Sequence, residues 1–384
     1  MKTIKHRKTQ RKRRIHTRRR HGGNVIGSGG YGCVFRPALK CKGRRKRSSK
    51  SISKLMLVKH AKREYSGIMK YLPILQKIPH YTRYFILEGA NLCHPAPLTK
   101  ADLSNFNLNC KPLKKRNITL KNINQSLDKV YSLNLPDGGI ELGEYIDSGL
   151  SIDEMQTLNT HMIELLVHGI LPMNKHHIYH ADIKESNMLV DMQSINVRLI
   201  DWGLSTYTTG NRIPDIMWDK PFQYNLPFSM VLFNNTFKTM YADYLSDADH
   251  SINNDSISVF LKTYVDKWIH VRGLGHMSTI TSVWKLITNN KDLHVHDDII
   301  IPYLTAVLVE YTRNDQFDMI GYFKNVFLKL IDLWGFIMSY SAFLETETGF
   351  DNHKINNLII TYLFKTPVHS IVIDNLVTDL NHLF

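Results

Sequence analysis

Two carboxylates and an amide stand close together at the ends of two short apolar runs. In residues 176–203, HHIYHADIKESNMLVDMQSINVRLIDWG, the motif His-Ala-Asp-Ile-Lys-Glu-Ser-Asn occupies 180–187 and Asp-Trp-Gly occupies 201–203. Between them lie Met188, Leu189 and Val190, a polar stretch from Asp191 to Asn196, and then Val197, Leu199 and Ile200. Two short strands joined by a turn would bring Asp182, Asn187 and Asp201 to one edge. Two carboxylates and an amide oxygen suit a hard cation such as Mg²⁺, which prefers oxygen ligands.

Other elements must position that edge. Asn24 to Phe35 reads NVIGSGGYGCVF, an apolar entry, a G-x-G-x-x-G turn and an alternating apolar exit. Glycines let a backbone approach phosphate because no Cβ intervenes. A glycine hairpin alone is common and carries little information. In a dinucleotide fold the motif would open a helix; here Cys33-Val34-Phe35 continues as a strand. Ile52 to Met56 reads as a short strand holding Lys54, ordinarily a solvent-facing residue but able to reach phosphate when it follows a glycine turn. Residues 59–77 have helical spacing and contain Glu64, the first acidic residue of the chain. Tyr84–Leu87 and Lys129–Leu135 read as strands, 91–125 as an irregular surface insert, Glu141–Ile146 as a short helix and 152–175 as a long one.

Composition narrows the class. The 384 residues carry a net charge of +15, unevenly placed. Residues 1–63 hold 23 Lys/Arg and no Asp or Glu, which leaves 26 basic against 34 acidic residues in the rest. Residues 1–21 are expected to be disordered alone, as a solubilising tail or an arm for a polyanion such as nucleic acid. Without interleaved aromatics they are not expected to read bases. A second basic run, Lys40–Lys50, reads as an exposed loop. Four cysteines, Cys33, Cys41, Cys93 and Cys110, lack metal or redox spacing, and reduced thiols in an intracellular setting are expected. No membrane span is expected, because the most apolar stretch, 326–344, is interrupted by Lys329 and Asp332.

In this order the motifs resemble those of eukaryotic-type serine/threonine protein kinases: a glycine loop, a strand lysine, a helix glutamate, H-x-D-x-K-x-x-N and D-x-G. The resemblance covers roughly 24–203 and resumes near 320–345. It implies an α+β, bilobal protein-kinase-like fold with a small β-rich N-lobe at 22–137 and a mainly helical C-lobe at 138–384. It implies ATP and Mg²⁺ (or Mn²⁺) as cofactors and a protein bearing Ser/Thr as substrate. Asp182 would take or orient the hydroxyl proton, and Lys184 would offset charge on the transferring phosphoryl group. Asn187 and Asp201 would hold the metal. Ile26, Gly27, Ser28, Gly29, Gly30, Tyr31, Gly32 and Val34 would surround the nucleotide, with Lys54 on its phosphates, Glu64 positioning Lys54, and Leu135 to Asp137 as the hinge at the adenine edge. Lys184 disfavours a small-molecule kinase. His180 is expected to pack and bond backbone beneath the loop.

The departures from the family pattern are specific. Ala181 replaces the usual arginine, which implies that control by activation-segment phosphorylation is absent. Trp202 replaces phenylalanine, Lys54 and Glu64 stand unusually close in sequence, and no Ala-Pro-Glu follows. Asp332-Leu333-Trp334-Gly335 resembles the buried large-lobe helix, whose aspartate would hold the catalytic-loop backbone. Before it lies a mostly helical insert at about 230–315, preceded by Pro221 to Ser229, PFQYNLPFS, read as a rigid turn near substrate. Together these features are similar to the divergent kinases of large nucleocytoplasmic DNA viruses, which implies a virion-associated or host-cytoplasmic enzyme. The competing expectations are a pseudokinase scaffold and a basic, nucleic-acid-associated virion structural protein.

Overall fold

A computed structural model describes residues 24–44, 48–247, 253–345, 352–365 and 367–384. The basic head at 1–21 and the centre of the basic loop lie outside the described residues. The fold is mixed α and β, with one small sheet-containing region and a mainly helical remainder. Two compact units divide the chain: Met1–Ala61 with Leu92–Asn134, and Lys62–Asn91 with Leu135–Phe384.

The small unit is built on a sheet in the order β1-β2-β3-β5-β4. Its strands are β1 (Asn24–Ser28), β2 (Gly32–Arg36), β3 (Ser51–Leu57), β4 (Asn91–Cys93) and β5 (Val130–Pro136). Alternation on β2 buries Cys33 and Phe35 while Val34 and Arg36 stay half-exposed, as a pleated strand with one covered face requires. The covering layer is the segment expected to be a surface insert. Leu98, Phe106, Cys110, Leu113, Ile118 and Ile123 instead form one apolar cluster with Val25, Phe35 and Leu55. Two single-turn helices, Phe106–Asn109 and Lys111–Lys114, carry part of it. They are too short to show periodicity, and the hydrophobic effect that orders them comes from the sheet.

The expectation of reduced thiols is overturned. Cys33 is bonded to Cys110 and Cys41 to Cys93, with Cα–Cα distances of 5.2 and 5.8 Å, and no cysteine is free. Both bridges tie the sheet side of the unit to the 91–125 layer. Partners 77 and 52 residues apart leave no local spacing signal, so the pairing arises only from the tertiary fold.

The large unit receives most of α1 (Val58–Leu75) and the turn after it. Residues 62–91, expected with the small part, pack here because Tyr71 and Phe85 close on Trp202, with ring centroids 6.3 and 5.6 Å away. Tyr84–Leu87 is not a full strand. It makes one bridge, Phe85 to Leu199, flanked by the bonds Leu199 N to Tyr84 O (2.8 Å) and Ile86 N to Leu199 O (3.1 Å). The 188–200 hairpin forms as expected, Met188–Val190 antiparallel to Val197–Leu199, with Ile140–Glu141 on the outer edge. Leu142–Ile146 is helical, and 152–175 runs helical throughout with a π-helical turn at 166–170. The segment 235–311 holds four further α-helices among the described residues, Asn235–Ser246, Asn254–Arg272, Met277–Ile287 and Ile301–Tyr311, the last preceded by a π-helical turn at His296–Ile300.

At the centre of this unit is the continuous helical stretch Met319–Glu345. It is the one helix among the described residues long and apolar enough to cross a membrane, with a mean hydropathy of 1.4, yet 83% of that window is buried inside the fold. One of its glycines, Gly335, touches the loop at 180–187: a Cβ there would lie 2.3 Å from the Ile183 carbonyl oxygen.

Candidate functional site

In the small unit the glycine turn closes the β1–β2 hairpin. Gly27 pairs with Val34 and Ser28 with Cys33, with a bulge at Ile26. The Gly29 N–H donates to the Gly32 carbonyl at 3.0 Å. The glycines do different jobs. A Cβ on Gly32 would lie 2.4 Å from Met56 Cγ and 2.5 Å from the Leu55 oxygen, so this position serves close packing on β3. A Cβ on Gly27 or Gly30 would meet nothing within 4 Å, so there the backbone is left open to approach. A Cβ on Gly29 would lie 3.8 Å from Lys54 Cε, which places the lysine stem beneath the turn. Lys54 is buried and sits opposite Val34 on β3. Ile26 and Tyr31 are exposed, the latter stacked on His60 at 4.5 Å.

In the large unit Glu64 is buried on α1. Leu135 lies near the end of β5, and Asp137 follows it, its Oδ1 accepting from the Gly139 N–H at 3.2 Å.

The motif at 180–187 is held by hydrogen bonds at two levels. Lowest is Asp332, which is 1% exposed. Its Oδ2 accepts from the His180 N–H (2.9 Å) and Asn174 Nδ2 (2.7 Å), and its Oδ1 accepts from the Ala181 N–H (2.8 Å). Burial pushes the Asp332 carboxyl above the usual carboxylate range, and these donors oppose that shift. Ala181 holds the left-handed conformation, φ 58°, a strained geometry for a non-glycine residue that the two Asp332 bonds beside it secure. The expected bond beneath the loop is also present: His180 Nε2 lies 2.9 Å from the Ile200 carbonyl. The His180 ring meets Trp202 edge-on at 5.1 Å.

The upper layer is Asp182 itself. Lys184 Nζ reaches its two oxygens at 3.0 and 3.1 Å. Asn187 Nδ2 donates to its Oδ2 at 2.8 Å and to its backbone carbonyl at 2.7 Å. Asn225 Nδ2 donates to its Oδ1 at 2.9 Å and to the Ile183 carbonyl at 3.2 Å. The structure therefore brings Asp182, Lys184 and Asn187 together as the motif implies. Asp201 begins the turn after the second hairpin strand with φ 63°, and the adjoining Ile200 N–H donates to the Asn187 carbonyl at 3.0 Å. With both Asn187 amide hydrogens directed at Asp182, its Oδ1 is the oxygen left to face another ligand. An amide oxygen and a carboxylate such as that of Asp201 are oxygen donors of the kind Mg²⁺ or Mn²⁺ prefers. No group of three or more His, Cys, Asp or Glu side chains with metal-holding geometry occurs among the described residues.

Several participants escape sequence reasoning. Asn225 lies in the Pro221–Ser229 segment, but only the fold shows that it bonds Asp182. Tyr224 donates its hydroxyl to Glu185 at 2.8 Å, and burial together with that carboxylate raises its pKa strongly. Trp334 Nε1 donates to the Tyr224 carbonyl at 3.0 Å. His276 comes from the helical insert, its ring 5.7 Å from that of Tyr224. Burial and the Lys184 charge lower the His276 pKa, while Asp182 opposes. No sequence signal marks this residue, because its approach depends on the whole insert folding back.

In comparisons with known proteins, no family model and no curated protein sequence matches this chain.

Proposed function

We propose that the chain is an ATP-dependent serine/threonine protein kinase, its small sheet unit and large helical unit corresponding to the two lobes of a protein-kinase-like fold. One observation carries the reading. Asp182 is oriented by Lys184, Asn187 and Asn225, on a loop whose backbone is tied to buried Asp332. A carboxylate positioned that rigidly suits a reaction that depends on alignment and charge placement more than on covalent chemistry.

On this reading the substrate hydroxyl oxygen attacks the γ-phosphorus of ATP. The bond from that phosphorus to the β–γ bridging oxygen breaks, ADP leaves, and Asp182 receives the hydroxyl proton. Lys184, bonded to Asp182, offsets charge on the phosphoryl oxygens. The open backbone of Gly27 and Gly30 and the ammonium of Lys54 are assigned to phosphate contacts. Asn187 and Asp201 would hold Mg²⁺, which supplies charge neutralisation on the phosphates when bound.

The test is transfer of ³²P from γ-labelled ATP to a generic basic protein. Asp182→Asn and Asp201→Ala should each lose at least about a hundredfold in rate, the range for a lost general base or metal ligand. Circular dichroism and melting should show both variants folded. Undiminished transfer by both would overturn the assignment.

A further inference from the structure

Charge is sorted between the two units. From residue 24 onward the small unit holds ten Lys/Arg and no Asp or Glu at 24–61, then seven Lys/Arg and two Asp at 92–134. The large unit has the opposite balance, 21 Lys/Arg against 32 Asp/Glu. Of the two aspartates in the small unit, Asp102 is buried and accepts from the Thr99 N–H and hydroxyl, each at 2.8 Å. Asp128 alone is an exposed carboxylate among the described residues of this unit. A surface built for solubility intersperses both signs, and this one does not.

The 91–125 layer holds its cations in fixed places. Cys110 is bonded to Cys33, Leu113 and Ile118 are buried in the cluster on the sheet, and the Ile118 N–H donates to the Leu113 carbonyl at 3.0 Å. Asn122 closes the turn that follows: its Nδ2 donates to the Asn117 carbonyl at 2.8 Å, and its Oδ1 accepts from the Thr119 N–H at 2.7 Å. On this pinned backbone Lys111, Lys114, Lys115, Arg116 and Lys121 are all exposed, and among the described residues none of them pairs with a carboxylate. Lys111 precedes Lys114 and Lys115 at the spacing that sets like charges together on one helical turn and destabilises it, so the local fold gains nothing from them. The stem of the other basic run is fastened to the same layer. Cys41 is bonded to Cys93, the Lys42 N–H donates to the His94 carbonyl at 2.8 Å, and the Ala96 N–H donates to the Lys40 carbonyl at 2.7 Å. Exposed amides, Asn105, Asn107, Asn117 and Gln125, stand among the cations, and the Lys114 ammonium donates to the Asn107 carbonyl at 3.0 Å. Phe106, the only Phe, Tyr or Trp from 91 to 125, is buried.

We propose that the 91–125 layer of the small unit is a docking surface for the phosphate backbone of a nucleic-acid duplex, with Lys111, Lys114, Lys115, Arg116 and Lys121 at its centre. Cations and amides spaced along a fixed backbone suit phosphate and sugar oxygens, which take most of the hydrogen bonds a protein gives to DNA. With no exposed Phe, Tyr or Trp, the layer offers a single strand no stacking platform. Its single-turn helices present no continuous apolar face to sink into a membrane. Binding is independent of base sequence, and it does not rest on the kinase reading. The test is the anisotropy of a fluorescent duplex of about 20 base pairs titrated with the full chain over a salt series, since each phosphate neutralised adds about 0.9 to the slope of log K against log salt. Changing Lys111, Lys114, Lys115 and Lys121 together to Gln should weaken binding at least tenfold at fixed salt and lower that slope by about two or more. Arginine at the same four positions should restore both. Lys175, Lys267, Lys291 and Lys329 are exposed on the large unit. Changing them together to Gln removes the same net charge and should leave Kd within twofold. Melting curves should match the wild type for all three variants. Unchanged affinity in the first variant, no recovery with arginine, or an equal loss in the large-unit variant overturns the surface. A chain lacking residues 1–21 should still bind the duplex, and should still weaken with the four glutamines; a truncated chain that no longer binds assigns the contact to the basic head and overturns the surface. A single strand bound more tightly than the duplex overturns the duplex assignment. Phosphatidylserine vesicles or a phosphoserine peptide bound in preference to the duplex overturn the nucleic-acid assignment.

Discussion

Asn225 is fully buried, and its amide nitrogen serves both the Asp182 carboxylate and the Ile183 carbonyl. Its Oδ1 is buried without a hydrogen-bond partner. The residue is therefore kept for what its nitrogen donates, since an unmet buried acceptor costs stability. Asn225→Ala removes two bonds and leaves a carboxylate oxygen short of a donor, a loss of about 1–3 kcal/mol in a urea titration. Because Asp182 then loses one of its three orienting partners, kcat should fall more than KM rises. Asn225→Asp should cost more than Asn225→Ala, because it sets a second carboxylate against Asp182 in a low-dielectric site. Equal stabilities for wild type and Asn225→Ala would remove Asn225 from the positioning network.

At the scale of elements, the loop at 180–187 depends on a helix far away in sequence. The helix centred on Asp332 reaches the loop backbone only because residue 335 has no side chain. Gly335→Ala places a methyl where the Ile183 carbonyl sits, and overpacking of this kind costs about 1–3 kcal/mol. Helix propensity alone favours alanine by up to about 1 kcal/mol, so a lowered melting temperature would mean that the loop contact outweighs propensity. A raised one would show that the contact yields. The same contrast explains what the sequence could reveal. The 188–199 hairpin and the glycine turn were legible because each is a short pattern of apolar alternation or a motif with fixed spacing, whereas the Asp332 contact was implied by the resemblance of residues 332–335 to a family helix. The 91–125 layer was not legible, because Phe106, Leu113 and Ile118 are scattered among polar residues and turns, and only the sheet beneath selects them for burial. Tyr84–Leu87 has the β-branched and aromatic content of a strand but finds one bridging partner, Leu199. Asn225 and His276 were silent for a related reason: their partners lie 43 residues away in one case and on a fold-back of the insert in the other.

At the scale of the whole molecule, the two units are held together internally by different means. The large unit has a deep aromatic and aliphatic core, with Trp268, Trp284 and Trp334 all essentially buried. The small unit has a thinner core, built from one side of a sheet and an irregular layer, and it carries both disulfides. Small cores commonly gain their stability from such cross-links. Cys33 adjoins Gly32 at the start of β2, so the Cys33–Cys110 bond also anchors the base of the glycine turn to the covering layer. A bond closing a separation of 77 residues should stabilise its unit by about 4 kcal/mol on the chain-entropy account. Cys33→Ser combined with Cys110→Ser should therefore lower the unfolding transition of the small unit while leaving that of the large unit near its wild-type position. Differential scanning calorimetry with and without reductant separates the two transitions. Alkylation in denaturant supplies the chemical check: the purified, oxidised chain should take up no label before reduction and four labels after it. Labelling of all four cysteines before reduction would mean that the pairs are not formed. The small unit would then owe its stability to the sheet and the 91–125 layer alone, and the double serine variant should melt with the wild type.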